Sequence, residues 1–291
     1  MHVSYLYTPA LRFDSLIANR RSLIADAVVV DIEDSIHINA KADARAKVAT
    51  IDVSPLVELG VRVGLRMNSL ASPEGLKDMD VLLRLGAERG RLPFEFVLVP
   101  KVGHANDVKM YRSLFNTLRE PPELYPFIET VQAVENADGI AAVSDGLAFG
   151  QADLIAELYS PNENYINHAR AQMCVAAAKY KLQAIDTNSF EIEDLTRFEA
   201  ECVAAKGYGF TAKAAIHPRQ VPAINSVFSV TPATIAKYQK LIETYQRSDV
   251  GFVLVDGQAV APPFVAKARR MLELYDRYQK HVQKKHGKEA S

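Results

Sequence analysis

Several apolar runs of this chain lead into charged residues that could together bind a hard cation and an anionic ligand. One run ends at Glu129, and the next leads within a few residues to Asp153, 24 positions further along the chain. Mg²⁺ prefers oxygen ligands, takes one or two protein carboxylates and leaves its other positions to water or substrate. We therefore predict that Glu129 and Asp153 bind magnesium. Taken singly, either carboxylate could instead cap a helix or form a structural ion pair.

Two cations lie at the ends of other apolar runs. Arg66 could grip the carboxylate of a substrate through two parallel hydrogen bonds, a geometry that a guanidinium provides and an ammonium does not. Lys101 could form a Schiff base only if its pKa were lowered by burial or by neighbouring cations. Because the surrounding pattern is rich in carboxylates, we expect Lys101 to stay charged and to form ion pairs or bind an anionic substrate.

An acidic stretch and a histidine complete this set of polar residues. Asp31, Glu33 and Asp34 end the second apolar run, and His217 follows the last one. Structural capping is the favoured interpretation for Asp31 and Asp34, whereas capping and catalysis both stay open for Glu33. His217 could act as a base or bind substrate, but a His-Pro pair after a strand is equally typical of a hydrogen-bonded turn.

The apolar runs that carry these residues predict a parallel barrel. Most are continuous rather than alternating, which is typical of parallel strands buried on both faces, and segments with helical period separate them. Eight such units in 291 residues predict a (β/α)8 TIM barrel with a C-terminal helical extension, whose active site is built where the strands end. No GxGxxG follows a strand, so a dinucleotide-binding sheet lacks its fingerprint. The predicted strands are Val3–Thr8, Ala27–Asp31, Val61–Arg66, Phe96–Lys101, Leu124–Glu129, Gly146–Phe149, Leu182–Asp186 and Ala212–Ile216.

We predict two regions with a boundary after Arg247. Residues 1–247 form the barrel with its metal site. Residues 248–291 contain a hairpin over Val250–Val260, centred on the turn-forming pair Asp256-Gly257, and a last helix over Phe264–Lys284. An appendage of this kind could pack on a neighbouring subunit.

Composition and charge exclude several classes of partner. The chain has 34 basic and 35 acidic residues and a net charge of -1, so no global field draws it to nucleic acid or to an anionic membrane. No run approaches the roughly 20 apolar residues of a membrane span, and the N-terminus lacks the pattern of a secretory signal. Cys174 and Cys202 lie far apart without a CxxC pattern, so we expect two reduced thiols in a cytoplasmic protein.

Several short motifs, taken in order, resemble one known family across nearly the whole chain. The chain resembles the citrate lyase β-subunit-like group of the HpcH/HpaI aldolase family, and the motifs are specific as an ordered set rather than singly. They are Tyr5–Pro9, Asp26–Ser35, Leu65–Asn68, Pro100–Val102, Ile128–Thr130, Phe149–Leu154, Gly209-Phe210 and Ala215–Pro218.

This resemblance implies a magnesium-dependent carbon–carbon lyase or aldolase. It implies that Glu129 and Asp153 bind Mg²⁺, that Arg66 binds the carboxylate of the substrate, and that Glu33 and Asp34 order water and neighbouring groups. The implied substrates are 3-hydroxy-acyl-CoA thioesters of the citryl, malyl or citramalyl type, or 4-hydroxy-2-oxo acids, with a 2-oxo acid released or used. The family also forms homotrimers and hexamers in which a C-terminal segment reaches the site of a neighbour.

A departure from the family pattern leaves three functions open. Thioester-using members carry a C-terminal Gly-Lys-Met-Ile-Asp-x-Pro motif whose aspartate transfers a proton; here the stretch begins at Gly257 and has Ala261 at that position. Asp256 lies upstream in the predicted turn, and Ala10 replaces a glycine of the first motif. The favoured function is a thioester lyase with another proton-transfer group, such as His217 or metal-bound water. A coenzyme A-independent aldolase comes second, and a metal- and oxo-acid-binding protein with little catalysis third.

Overall fold

Eight parallel strands close into a barrel in this computed structural model, which describes residues 2–159 and 162–288. Each strand pairs with the next one along the chain, and the last pairs with the first. The predicted barrel is thus confirmed, and every predicted strand ends within two residues of an observed one. The barrel strands are β1 (Ser4–Pro9), β2 (Ala27–Asp31), β3 (Arg62–Arg66), β4 (Phe96–Val99), β5 (Glu123–Ile128), β6 (Gly146–Phe149), β7 (Gln183–Asp186) and β8 (Ala212–Ala215).

Helices connect the strands, and side-chain caps define several of their first turns. Ser72 Oγ accepts a hydrogen bond of 3.1 Å from the backbone N–H of Gly75 at the start of one helix, and Asp194 Oδ1 accepts one of 3.0 Å from Arg197 at another. The helices of this part are α1 (Phe13–Ala18), α2 (Lys41–Thr50), α3 (Ser54–Val57), α4 (Pro73–Arg89), α5 (Ala105–Phe115), α6 (Val131–Glu135), α7 (Ala137–Ala141), α8 (Gln151–Glu157), α9 (Glu163–Tyr180), α10 (Leu195–Tyr208) and α11 (Val221–Phe228).

Aromatic rings fill the interior of the barrel. The ring of Phe96 stacks on Tyr125 with centroids 5.1 Å apart and meets the edge of Tyr5 at 5.7 Å. Glycines on neighbouring strands make room for these rings, because a Cβ at Gly64 would lie 2.2 Å from Phe96 and one at Gly146 would lie 2.9 Å from Tyr125. The interior is therefore a packed core, and the chemistry of the barrel is confined to the ends of its strands.

Lys101 departs from its predicted place in the fourth strand. The strand β4 ends at Val99, and Lys101 has a φ of 56°, in the left-handed region that a strand cannot include. The backbone therefore turns away from the sheet two residues before the predicted end, which directs Lys101 across the end of the barrel toward β5.

In the described part of the chain, residues 229–288 form a second compact unit together with His2. It contains α12 (Pro232–Gln246), the antiparallel pair β9 (Val253–Val255) and β10 (Gln258–Val260), and α13 (Pro262–Lys288). The division comes earlier than our predicted boundary because α12 packs on this unit: Leu241 shares a buried apolar cluster with Val255 and Val265. Within residues 2–159 and 162–288, no helix is both long enough and apolar enough to cross a membrane.

Candidate active site

Glu129 is a buried carboxylate at the C-terminal end of β5. The residue is 2% exposed, and its Oε1 accepts a hydrogen bond of 2.7 Å from the backbone N–H of Lys101. Burial raises the pKa of the Glu129 carboxyl to about 8, although the nearby charge of Lys101 acts in the opposite direction. A nearby cation therefore favours the ionised form of the Glu129 carboxyl, and burial opposes it.

Gly150 gives the Glu129 side chain its space. It follows β6, the strand next to β5, and a Cβ added to it would lie 2.5 Å from both the Cβ and the Oε2 of Glu129. Any side chain at this position would therefore push the carboxylate away. The sequence pattern alone does not mark Gly150 as a site residue; its place between the strand end at Phe149 and the helix start at Gln151 is the available signal.

The ammonium of Lys101 lies between the two predicted metal ligands. Asp153 is in the first turn of α8, and its carboxylate forms an ion pair with Lys101 Nζ, which also lies 3.8 Å from Glu129 Oε1. Burial acts to lower the pKa of Lys101, but the two carboxylates outweigh it and raise that pKa above its usual value. The structure thus brings Glu129, Asp153 and Lys101 together.

These residues fit a magnesium ion better than a structural zinc. In the described ranges, no three Asp, Glu, His or Cys side chains converge closely enough to hold a metal by themselves. Zinc in structural sites takes four such ligands, whereas Mg²⁺ is commonly bound by one or two carboxylates with water and substrate completing the shell. Glu129 and Asp153 would supply those carboxylates, and the ammonium shows that the space between them favours a positive charge.

Arg66 lies at the same end of the barrel, but its guanidinium forms hydrogen bonds with Asp31 at the end of the neighbouring strand β2. Its Nε donates to Asp31 Oδ1 at 2.8 Å and its Nη2 donates to Asp31 Oδ2 at 2.5 Å. Burial acts to raise the pKa of Asp31, but the charge and hydrogen bonds of Arg66 outweigh burial and lower this pKa below its usual value. The guanidinium also lies 5.3 Å from the ring centroid of Tyr7 and 5.9 Å from that of Phe127. The bidentate pair expected for a substrate carboxylate is made here with Asp31, and Nη1 of the same guanidinium faces Glu33, so only the N–H groups that these two carboxylates leave over can meet a ligand.

The two members of the acidic pair differ in their surroundings. Glu33 is 7% exposed, its Oε2 lies 2.8 Å from Arg66 Nη1, and burial raises its pKa to about 7 despite that cation. The side chain of Asp34 is 65% exposed and lies 3.9 Å from the same nitrogen. Glu33 is therefore inside the site, whereas Asp34 lies at its rim.

Comparison with known proteins places the chain in a family. The sequence model described as HpcH/HpaI aldolase/citrate lyase matches residues 4–218. The chain belongs to this family. That membership confirms the family predicted from the motifs and, with it, the prediction of a carbon–carbon lyase.

Two relatives and one solved structure illustrate the family. The chain is 30% identical to (3S)-malyl-CoA thioesterase of Cereibacter sphaeroides, over 92% of this chain and 93% of that one. It is 28% identical to citrate lyase subunit beta of Escherichia coli K12, over 92% and 91%. Its fold is similar to that of CitE from Mycobacterium tuberculosis in complex with magnesium, acetoacetate and coenzyme A, with a TM-score of 0.73 and 24% identity over 94% of this chain and 97% of that one.

A buried lysine outside the predicted set shapes the acidic loop of this family member. Lys41 Nζ donates to the carbonyl oxygens of Ile32 at 3.0 Å and Glu33 at 2.7 Å, and to Asn68 Oδ1 at 2.7 Å. The amide of Asn68 in turn donates to Ile32 O and to Asp78. Lys41 therefore fixes the backbone that presents Glu33. The sequence does not reveal this role, because the contact with Asn68 joins residues 27 positions apart.

His217 forms the turn that was one of its two predicted interpretations. Its Nδ1 accepts a hydrogen bond of 3.2 Å from the backbone N–H of Arg219, and its own backbone N–H donates to Gln220 Oε1 at 3.2 Å. The turn directly follows β8, so His217 is at the active-site end of the barrel. Its role in substrate binding stays a prediction. Because Nδ1 accepts the hydrogen bond from Arg219, Nε2 would be the nitrogen that contacts the substrate.

The C-terminal departure from the family motif lies at a helix start. The carbonyl of Ala261 accepts a hydrogen bond of 3.0 Å from the N–H of Phe264, so Ala261 opens α13. Asp256, the carboxylate upstream, has a φ of 49° in the hairpin turn and forms an ion pair of 2.6 Å with Lys240. Asp256 is thus occupied within the C-terminal unit and is a poor replacement for the aspartate absent at Ala261.

Proposed function

We propose that this protein is a magnesium-dependent carbon–carbon lyase that cleaves or forms a 3-hydroxy-acyl-CoA of the malyl, citramalyl or citryl type, with a 2-oxo acid as the other partner. The observation that carries this proposal is the buried Glu129 carboxylate opposite Asp153, with a cation between them. The name of one relative, a malyl-CoA thioesterase, supports a thioester substrate, and the name of the other, a citrate lyase subunit, supports a lyase reaction.

The residues of the site divide the work of a retro-Claisen cleavage. The proton of the 3-hydroxyl leaves, the adjacent carbon–carbon bond breaks, and the electron pair moves to the carbon next to the thioester carbonyl, which then takes up a proton. Mg²⁺, when bound, supplies a Lewis acid for the oxygen atoms of the substrate. Glu129 and Asp153 would hold it, and Arg66 would orient the carboxylate of the oxo acid through its remaining N–H groups.

Proton transfer is assigned to groups other than a C-terminal aspartate. Because burial raises the pKa of Glu33 to about 7, its carboxyl can both hold and release a proton near neutral pH. Asp34 would order water at the rim, and His217 and Lys101 would contact the anionic substrate.

We include in this proposal the homotrimer or hexamer and the cytoplasmic location expected from the sequence. Two buried free thiols, Cys174 and Cys202, fit a reducing compartment.

A second candidate follows from Ala261. A coenzyme A-independent aldolase acting on a free 4-hydroxy-2-oxo acid would not need the proton-transferring aspartate that the chain lacks at this position. The same metal and arginine would hold its oxo-acid group, so the two functions differ in the substrate rather than in the site.

A panel of substrates separates these functions. The full-length protein would be incubated with malyl-, citramalyl- and citryl-CoA and with 4-hydroxy-2-oxo acids, in the presence of Mg²⁺ or EDTA. We expect release of an oxo acid from at least one thioester, loss of this release in EDTA, and loss in Glu129→Gln. Release from free acids alone would select the aldolase, free thiol without an oxo acid would indicate thioester hydrolysis, and activity that resists EDTA would reject the metal site.

A further inference from the structure

The side chain of Lys101 reaches into the site from the rim of the barrel. It is 37% exposed, whereas the Glu129 side chain beneath it is 3% exposed. We propose that Lys101 is an internal counter-ion: its ammonium occupies the space between Glu129 and Asp153 when no metal is bound, and a divalent cation must displace it. This inference rests on the proposed metal site and adds to it a built-in competitor.

The backbone shows that this contact is part of the architecture. Lys101 is one of three non-glycine residues with positive φ in the described chain; the others, Lys181 and Asp256, end a helix and form a hairpin turn, where this conformation is ordinary. Lys101 instead follows a strand, where the conformation is strained. It brings the backbone N–H to 2.7 Å from Glu129 Oε1 and leads the ammonium to the same carboxylate.

The two carboxyl groups that contact the ammonium are the ones that would hold the metal. Lys101 Nζ lies against Glu129 Oε1 and Asp153 Oδ1, so a divalent ion between these carboxylates would meet a like charge at short range. A lysine ammonium is a point charge on a flexible four-carbon stem, and the exposed part of this one gives it a path outward. The ammonium can therefore leave the site. The free energy needed to displace it lowers the apparent affinity for the metal.

The test compares Mg²⁺ binding by isothermal titration calorimetry in variants of the full-length protein at one pH and ionic strength. Lys101→Met keeps the length of the side chain and its backbone N–H but removes the charge; we expect its Kd for Mg²⁺ to fall about tenfold. Lys101→Arg keeps the charge and should stay within about threefold of the wild type. Lys179→Met is the matched control, because Lys179 also pairs with a carboxylate, Asp138, on the exposed surface. Its Kd should not change.

Thermal unfolding supplies an independent readout. In EDTA, Lys101→Met should unfold at a lower temperature than the wild type, because the carboxyl groups of Glu129 and Asp153 lose the ammonium that lies between them. Added Mg²⁺ should then raise its unfolding temperature by more than it raises that of the wild type. If Lys101 had a merely structural role, the substitution would lower the unfolding temperature in EDTA and the unfolding temperature with Mg²⁺ by the same amount.

The outcomes distinguish this inference from the proposed function. If Lys101→Met binds Mg²⁺ no more tightly than the wild type while Glu129→Gln loses binding, the counter-ion role is rejected and the metal site stands. If neither the wild type nor Lys101→Met binds Mg²⁺, the metal site is rejected and the inference with it. Should Lys101→Met fail to fold, Lys101→Gln removes the charge with a polar side chain and is held to the same expectations.

Discussion

The carboxylate of Glu129 lies directly against the bare Cα of Gly150, on the neighbouring strand end. An added Cβ would come within 2.5 Å of both Cβ and Oε2 of Glu129. The backbone N–H of Lys101 holds the other carboxylate oxygen from the opposite neighbouring strand end at 2.7 Å. Glu129 is thus positioned from both sides, by a donor on one and by the absence of a side chain on the other.

This relationship predicts the effect of Gly150→Ala. The methyl group should displace the Glu129 carboxylate, weaken Mg²⁺ binding at least about tenfold, and cost about 1–3 kcal/mol of stability through overpacking. Calorimetry and urea unfolding measure the two effects. The matched control is Gly139→Ala in α7, where the nearest atom to an added Cβ is Ala105 Cβ at 3.9 Å. Its Mg²⁺ affinity should not change, and its stability should rise by up to about 1 kcal/mol because alanine is favoured over glycine in a helix. Equal Mg²⁺ affinity in the two variants would contradict the role of Gly150 in placing the Glu129 carboxylate for the metal.

The raised pKa of Glu129 predicts how Mg²⁺ binding depends on pH. Burial raises this pKa to about 8, so below that pH much of the metal-free protein carries a proton on the carboxyl, and the metal must displace it. Mg²⁺ affinity should therefore rise with pH, by up to about tenfold per unit, and level off above about pH 8. Calorimetry in two buffers of different ionisation enthalpy would count the released proton. An affinity that stays constant across this range contradicts the prediction.

Arg66→Lys separates the fork from the charge. The variant keeps a cation but cannot make both hydrogen bonds to the buried Asp31, so we expect a loss of about 1–3 kcal/mol in the free energy of unfolding. Binding of pyruvate at saturating Mg²⁺ should weaken at least about tenfold. Arg84→Lys is the control, since Arg84 pairs with Asp80 on the exposed face of α4 and should change stability by less than about 0.5 kcal/mol. Unchanged pyruvate affinity in Arg66→Lys would remove Arg66 from the binding site.

The sequence predicts the barrel and the members of the site for the same physical reason. Parallel strands buried on both faces are mostly apolar, so a charged residue that ends an apolar run marks the strand end and faces the site. That rule located Glu129 and Arg66, and the residues a few positions beyond the ends of two other strands added Glu33 and Asp153. All four lie at one end of the barrel in the structure.

What the rule could not supply are lateral contacts. The pairing of Asp31 with Arg66 depends on the register of β2 against β3, which places the two residues at one level. The role of Gly150 depends on the distance between β5 and β6, and that of Lys41 on a helix folding back to the loop after β2. The left-handed turn at Lys101 is equally invisible in a pattern of apolar residues.

Ala261→Asp restores the carboxylate that thioester-using relatives carry at this position. If the substrate is a thioester and the C-terminal segment reaches an active site in the assembled protein, the new group can transfer a proton and should raise malyl- or citramalyl-CoA cleavage at least about tenfold. The oxo acid released with Mg²⁺ present measures this gain. Because Ala261 opens α13, an aspartate there should also favour the helix N-terminus, so the variant should fold at least as stably as the wild type.

The control for this variant is Ala259→Asp, which places the same charge on the exposed strand β10 two residues earlier. This variant should leave the cleavage rate unchanged, because position 261, and not position 259, matches the aspartate of the family motif. A gain in both variants would reflect added charge rather than a proton-transfer group. A stable Ala261→Asp protein without any gain would mean that the segment does not reach the site or that the substrate is not a thioester, which favours the aldolase acting on a free oxo acid.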